Sequence, residues 1–342
     1  MTVSNLRDPA IRQTADALLS RMDLDQKVGQ MTLAERGSVT PADVRNYHIG
    51  AVLSGAGSAP GQNRTRDWVS MNDAYWVASM DPHHGGPAIP IMYATDAVHG
   101  HSNVGNATIF PHNIGLGASG DLDLIRRVAE ITAREVMATG VDWVLGPPVS
   151  VVQDCRWGRT FESYSSDTAT VAAYAAEFVK GIQSGQQGES LIACAKHWVG
   201  DGGTRHGIDQ GDTRLEFADL ERIHIAAYLP AIRDGVMTIM ASFNSWNGDK
   251  CHGSKFLLTD VLKNRLQFNG FIVSDWEGTN YLSEDYHLAV AMAVNAGIDM
   301  FMVPENWPEF IRHLKRHVER GSVSMRRVDD AVRRILTVKL AA

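Results

Sequence analysis

Short apolar runs alternate along the chain with longer stretches in which apolar positions recur every three to four residues. The apolar runs fall at residues 30–34, 49–54, 91–96, 143–147, 192–197, 238–244, 271–275 and 299–303. Near-continuous runs of this length read as strands covered on both faces. The amphipathic stretches at residues 121–139, 167–183, 216–234, 255–266 and 284–296 read as helices between them. Asp121 and Asp167 open two of these helices, and Gly140, Gly235, Gly297 and Gly321 follow helix ends, where a left-handed residue is needed. Residues 325–340 form a last amphipathic helix, with Arg326, Arg327, Arg333, Arg334 and Lys339 interleaved among Val328, Val332, Ile335 and Leu336. Eight strand–helix units predict an α/β fold: a (β/α)8 TIM-like barrel in a single domain, residues 1–342. No G-x-G-x-x-G opens a helix after the first strand, which argues against a dinucleotide-binding sheet.

The length of 342 residues suits one such barrel, which takes about 250 residues before loop insertions. Hydrophobic content of 44% and charged content of 21% describe a globular chain with a sizeable core. The formal charge of -7 comes from interspersed residues rather than a block, so neither nucleic acid nor an anionic membrane surface is an expected partner. No apolar run approaches a membrane span. Residues 1–12 are polar and lack the apolar centre of a signal peptide. That predicts a cytoplasmic protein, or a periplasmic or secreted one if a leader has been removed. Cys155, Cys194 and Cys251 are too few and too scattered for a disulfide framework or a zinc site. The pairs His83-His84 and His99-x-His101 lack further ligands at metal-binding spacing, and no phosphate-cradling P-loop occurs, so no metal or cofactor is expected.

In a barrel the reactive groups stand where strands end. The run Phe271-Ile272-Val273-Ser274 stops on Asp275 and Trp276, which puts an acid where an apolar strand has no structural use for one. The residue pattern recurs. Asp96 ends the third strand, and Lys196-His197 ends the fifth, before the Gly-rich loop Gly200-Asp201-Gly202-Gly203-Thr204. The loop after the fourth strand carries Asp154, Arg156, Trp157, Arg159 and Glu162; its arginines serve either the site or simply the neighbouring acids. A buried ammonium at Lys196 needs an anion facing it. Carboxylates, cations and indoles gathered on one rim suit a sugar, whose hydroxyls accept bidentate contacts and whose C–H face lies on aromatic rings.

Five segments together closely resemble glycoside hydrolase family 3, in its exo-β-glucanase and β-glucosidase branch. They are Asp96-Ala97-Val98-His99-Gly100, residues 108–113, Arg156-Trp157-Gly158-Arg159, Lys196-His197 with residues 200–204, and Ser274-Asp275-Trp276. The resemblance implies hydrolysis of terminal β-linked glucose in a β-glucoside or β-glucan oligosaccharide, with Asp275 as the nucleophile of a retaining mechanism. It further implies that Asp96, Arg156, Lys196 and His197 hold the hydroxyls of the first sugar, and that Trp276 flanks the next. In this branch the acid/base usually resides on a second α/β domain after the barrel, and no such segment follows here. Glu162, Glu277 and Glu305 are other acids on the rim. A single-domain β-N-acetylglucosaminidase branch instead uses a His–Asp pair in the loop after Lys-His. Its pattern is not matched, although His206 and Asp209 lie nearby in the opposite order. Two readings from other classes are a sugar-binding barrel without turnover and a Schiff-base lyase using the Lys196 amine.

Overall fold

The computed structural model of the chain describes residues 5–81, 85–185 and 190–342. All eight expected strands form: β1 (Thr32–Glu35), β2 (Ala51–Ser54), β3 (Met92–Thr95), β4 (Trp143–Val144), β5 (Ile192–Trp198), β6 (Thr238–Ala241), β7 (Phe271–Val273) and β8 (Phe301–Met302). Neighbours in sequence are neighbours in the sheet and every pairing is parallel, with β8 returning to β1 through Thr32–Phe301 and Leu33–Met302. A parallel bridge between Val273 and Met300 joins β7 to β8 and closes the ring. The expected (β/α)8 barrel is the observed fold.

β4 is shorter than residues 143–147 suggested. Pro147 has no N–H to give, and beyond Val144 the pairing is irregular: Leu145 N–H donates to Thr95 at 2.9 Å, while Gly146 and Pro147 offer only carbonyls, to Cys194 N–H and Lys196 N–H at 2.9 Å each. The helix expected over residues 216–234 is helical but irregular, passing through a π turn (Glu221–Ile225) and a 3-10 turn (Ala226–Tyr228) before Leu229–Arg233. Pro230 removes an N–H from this stretch, which a regular ladder does not tolerate. A small three-stranded sheet was not expected. Asp212–Thr213 pairs with Ser245–Trp246, which turns back on Asp249–Lys250.

The N-terminal end of the barrel is sealed by the last helix, Met325–Ala341. Asp299 is fully buried and takes Lys263 Nζ at 2.6 Å, Ile272 N–H at 2.9 Å, and the guanidinium of Arg327 from that helix. Arg334 donates to the carbonyls of Phe268 and Gly270 at 2.9 Å each. Arg327 and Arg334, two of the cations interleaved in that helix, are therefore staples, meeting an acid and two carbonyls. This buried acid is structural, and it lies at the end opposite the strand C-termini.

Three buried imidazoles, His101, His224 and His252, have pKa values that burial pushes down to about 4. The unfolded chain takes up those protons near 6.5. Between about 6.5 and 4 the unfolded state therefore binds more protons, and stability falls as pH falls, by roughly 1 kcal/mol per pH unit for each imidazole. The Asp142 carboxyl, whose pKa burial raises to about 7, offsets one of the three, so urea midpoints are expected to drop from pH 6.5 toward 4.5 by the balance of the other two. A flat midpoint across that interval would contradict this.

Candidate active site

The C-terminal strand ends surround a cleft of about 350 Å³. β7 delivers Asp275 to its floor. Ser274 binds β8 on both sides, donating N–H to Met300 at 2.9 Å and accepting from Met302 N–H at 2.8 Å, so the peptide before Asp275 is fixed. Asp275 Oδ1 accepts the Trp276 N–H at 2.6 Å, and Oδ2 lies 3.5 Å from His197 Nε2.

β5 supplies Lys196 and His197. Its register against β6 slips between Lys196 and Trp198, and this irregularity accompanies the turning of both Lys196 and His197 toward the cleft. Lys196 Nζ meets Asp96 Oδ1 from the end of β3 at 2.6 Å. Burial works to lower the Lys196 pKa, but attraction and hydrogen bonding from Asp96 outweigh it and leave it raised. An amine held protonated in this way is poorly suited to Schiff-base chemistry.

His197 Nδ1 lies 2.9 Å from Asp201 Oδ2, which also accepts the Ser150 hydroxyl at 2.7 Å. Burial acts to raise the Asp201 pKa, yet the bonds from His197 and Ser150 leave it lowered. Asp201 stands in the Gly-rich motif with no task evident from the sequence; in the structure it orients an imidazole. The usable signal was an acid one helical turn after His197, framed by glycines. Gly200 adopts φ +95°, a conformation that permits the chain to turn back there.

Of the two loop arginines Arg159 lines the cleft, whereas Arg156, expected there, does not. Trp157 is buried and donates its indole N–H to Asp209 at 2.8 Å, anchoring the loop between the two arginines. Arg156 is thrown outward, its side chain 67% exposed and clasped by Asp154. Arg159 points inward, forks onto Glu162 at 2.7 and 2.9 Å, and brings Nη2 to 3.3 Å from His197 Nε2.

The other rim candidates separate in the same way. Glu162 lines the cleft; burial works to raise its pKa, but the Arg159 fork keeps it lowered, which makes it a poor proton donor. Asp209 is occupied by Trp157, and His206 stands exposed with no hydrogen bond to Asp209 among the described residues, so they form no dyad. Glu277 and Glu305 do not line the cleft. His101 is buried against Thr139, whereas His99 bonds the Phe110 carbonyl, and His83 and His84 lie outside the described residues. Among the described residues no three His, Cys, Asp or Glu side chains gather to hold a metal ion.

Aromatic rings form the walls. Trp276 is 39% exposed at the mouth and packs so closely on Gly55 that a Cβ there would lie 3.2 Å from the indole. Phe161 lines the same cleft with its ring edge-on to His112 at 4.7 Å. Phe243 lines it too, edge-on to Tyr281 at 5.6 Å.

Comparison with known proteins places these features in context. The family model described as the glycosyl hydrolase family 3 N-terminal domain matches residues 23–338. The crystal structure of a variant of an exo-1,3/1,4-β-glucanase from a Pseudoalteromonas species superposes with a TM-score of 0.93 at 48% identity, covering 97% of this chain and 55% of that one. A β-glucosidase from Listeria innocua, solved as a variant with laminaribiose, superposes with a TM-score of 0.83 at 26% identity, covering 96% of this chain and 46% of that one. A lysosomal β-glucosidase of Dictyostelium discoideum is 31% identical over 370 residues, covering 98% of this chain and 45% of the relative. The chain thus spans about half the length of each of these three proteins.

Proposed function

The chain belongs to glycosyl hydrolase family 3, and from that premise we propose that it is the barrel of a retaining, exo-acting β-glucosidase or β-glucanase. Its substrate is a terminal non-reducing β-linked glucose. The observation that carries this reading is the Asp275 carboxylate, oriented through Oδ1 and presenting Oδ2 to a cleft shared with Lys196, Asp96 and Arg159. Oδ2 attacks the anomeric carbon as the glycosidic C–O bond breaks, forming a glycosyl ester on Asp275. Water then attacks the same carbon, and the sugar leaves with its β configuration restored. Lys196 and Asp96 grip the hydroxyls at the far side of the ring, while Arg159 and His197 take the middle ones. Trp276 flanks the next sugar, with Phe161 and Phe243 as further apolar surface.

The leaving oxygen needs a proton from the opposite face, and in a retaining enzyme the donor stands roughly 5–5.5 Å from the nucleophile. Glu162 lines the cleft but is committed to Arg159. We therefore assign the acid/base to a second α/β domain, to which the additional length of the matched proteins lends support. The barrel alone then retains the nucleophile and the sugar grip but turns over slowly. An inert sugar-binding barrel is the alternative, and covalent trapping separates the two. A fluorinated glucoside with a good leaving group should add its sugar mass to the peptide carrying Asp275; binding without added mass would favour the inert barrel.

The two arginines give an independent check. Removing a charge-assisted hydrogen bond costs about 1.5–3 kcal/mol, or roughly 10–100-fold in affinity. Arg159→Ala is expected to weaken glucose binding by that factor in calorimetric titration, and Arg156→Ala by less than about twofold. The reverse order would restore the role first expected of Arg156.

A further inference from the structure

Asp275 is held from behind by an imidazole that does not line the cleft. His252 lies in the turn Cys251–Gly253, just after Asp249–Lys250 of the small sheet, and is 1% exposed. Its Nε2 lies 2.9 Å from the backbone N of Asp275. An N–H can be met only by a lone pair, so Nε2 carries no proton and the ring proton sits on Nδ1. Nδ1 is buried without a hydrogen-bond partner, although the Ser242 backbone lies where it favours a proton on the ring. Leaving such a donor unpaired costs about 1–3 kcal/mol, and a native structure keeps one only for a reason. Burial, the largest influence, pushes the His252 pKa down to about 4, which keeps the ring neutral. Space for it is cleared at Gly278, where a Cβ would come within 2.3 Å of Nε2.

The arrangement accounts for the peptide units around the carboxylate. Ser274 N–H goes to β8, Asp275 N–H to His252, and Trp276 N–H to Asp275 Oδ1. Without His252, the middle N–H would be a buried donor with nothing to meet, and the peptide would turn to find a partner. We infer that His252 is a positioning residue for Asp275: its unprotonated Nε2 fixes the peptide that aims Oδ2 at the anomeric carbon. This inference rests on the reading of Asp275 as the nucleophile. A misplacement of about 1 Å between reacting atoms can cost on the order of 10²-fold in rate.

The test is the rate of covalent labelling of the full chain by 2,4-dinitrophenyl 2-deoxy-2-fluoro-β-glucoside, followed by intact mass across probe concentrations. His252→Leu removes the acceptor. It is expected to lower the maximal labelling rate roughly 10–100-fold with the half-saturating concentration changed less than about threefold. His252→Gln, whose Oε1 reaches where Nε2 stood, should recover most of that rate. Gly278→Ala keeps the imidazole but pushes it off the peptide, so it should label as slowly as His252→Leu, and it carries the test if the Leu variant does not fold. Parental labelling in either slow variant, or a Gln variant as slow as Leu, overturns the inference while the parent still labels. An unlabelled parent overturns the nucleophile reading and this inference together.

Discussion

Asp275→Ala is expected to abolish covalent labelling and to lower hydrolysis of an activated aryl glucoside by at least roughly 10³-fold. The magnitude follows from what the residue does in the proposed mechanism. Asp275 makes and breaks the only covalent bond between protein and sugar, so no neighbour can share its task. His197 Nε2 lies 3.5 Å from the same carboxylate, but it is already faced by the Arg159 guanidinium. Substitution should leave binding of glucose within a few-fold, because the proposed mechanism gives the hydroxyl grip to Asp96, Lys196, Arg159 and His197. The cavity left by the carboxylate also makes a positive prediction. Added azide should enter it, displace the aryl leaving group from the face Asp275 occupied, and give the α-glucosyl azide. Product configuration is read by proton NMR, and a β-azide, or persistent labelling of the Ala variant, would remove Asp275 from the role.

Much of this site was legible in the sequence because barrel topology converts a one-dimensional pattern into a place. An apolar run that ends on Asp, or on Lys-His, must present those residues at the rim, since both faces of the strand are covered. Asp96, Lys196, His197, Asp275 and Trp276 were found in this way, and the cleft brings all five together. The loops were less readable. Arg156 and Arg159 are three residues apart with an acid near each, and nothing in their spacing says which turns inward. The buried Trp157 between them makes that choice through its bond to Asp209, some fifty positions away. The small sheet had a readable signal in Asn247-Gly248, the dipeptide that favours a tight hairpin, with both residues at positive φ. His252 was invisible for a different reason. It follows that hairpin, and its value comes from a backbone N–H that no sequence pattern displays.

Leaving-group dependence should show the second large effect, because the two halves of catalysis fall on different groups. Breaking a glycosidic bond to another sugar requires protonation of a poor leaving oxygen, and assistance of this kind contributes roughly 10²–10⁴-fold. A dinitrophenyl group departs as a stable anion and needs almost none. Among the described residues, Glu162 is the carboxyl in the cleft not otherwise given a role, and its fork with Arg159 holds it ionised. If the acid belongs to a second domain, the 342-residue chain should hydrolyse dinitrophenyl glucoside at a readily measured rate and laminaribiose or cellobiose roughly 10²–10⁴-fold more slowly than a form carrying that domain. Glu162→Gln separates the possibilities within the chain itself. If Glu162 were the acid, the disaccharide rate alone would collapse and the dinitrophenyl rate would survive. If it serves Arg159, both substrates should weaken together, because the guanidinium loses its partner and its aim. Equal rates on the two substrate classes in the parent chain would place a competent acid inside the barrel, and Glu162 would be the first residue to reconsider.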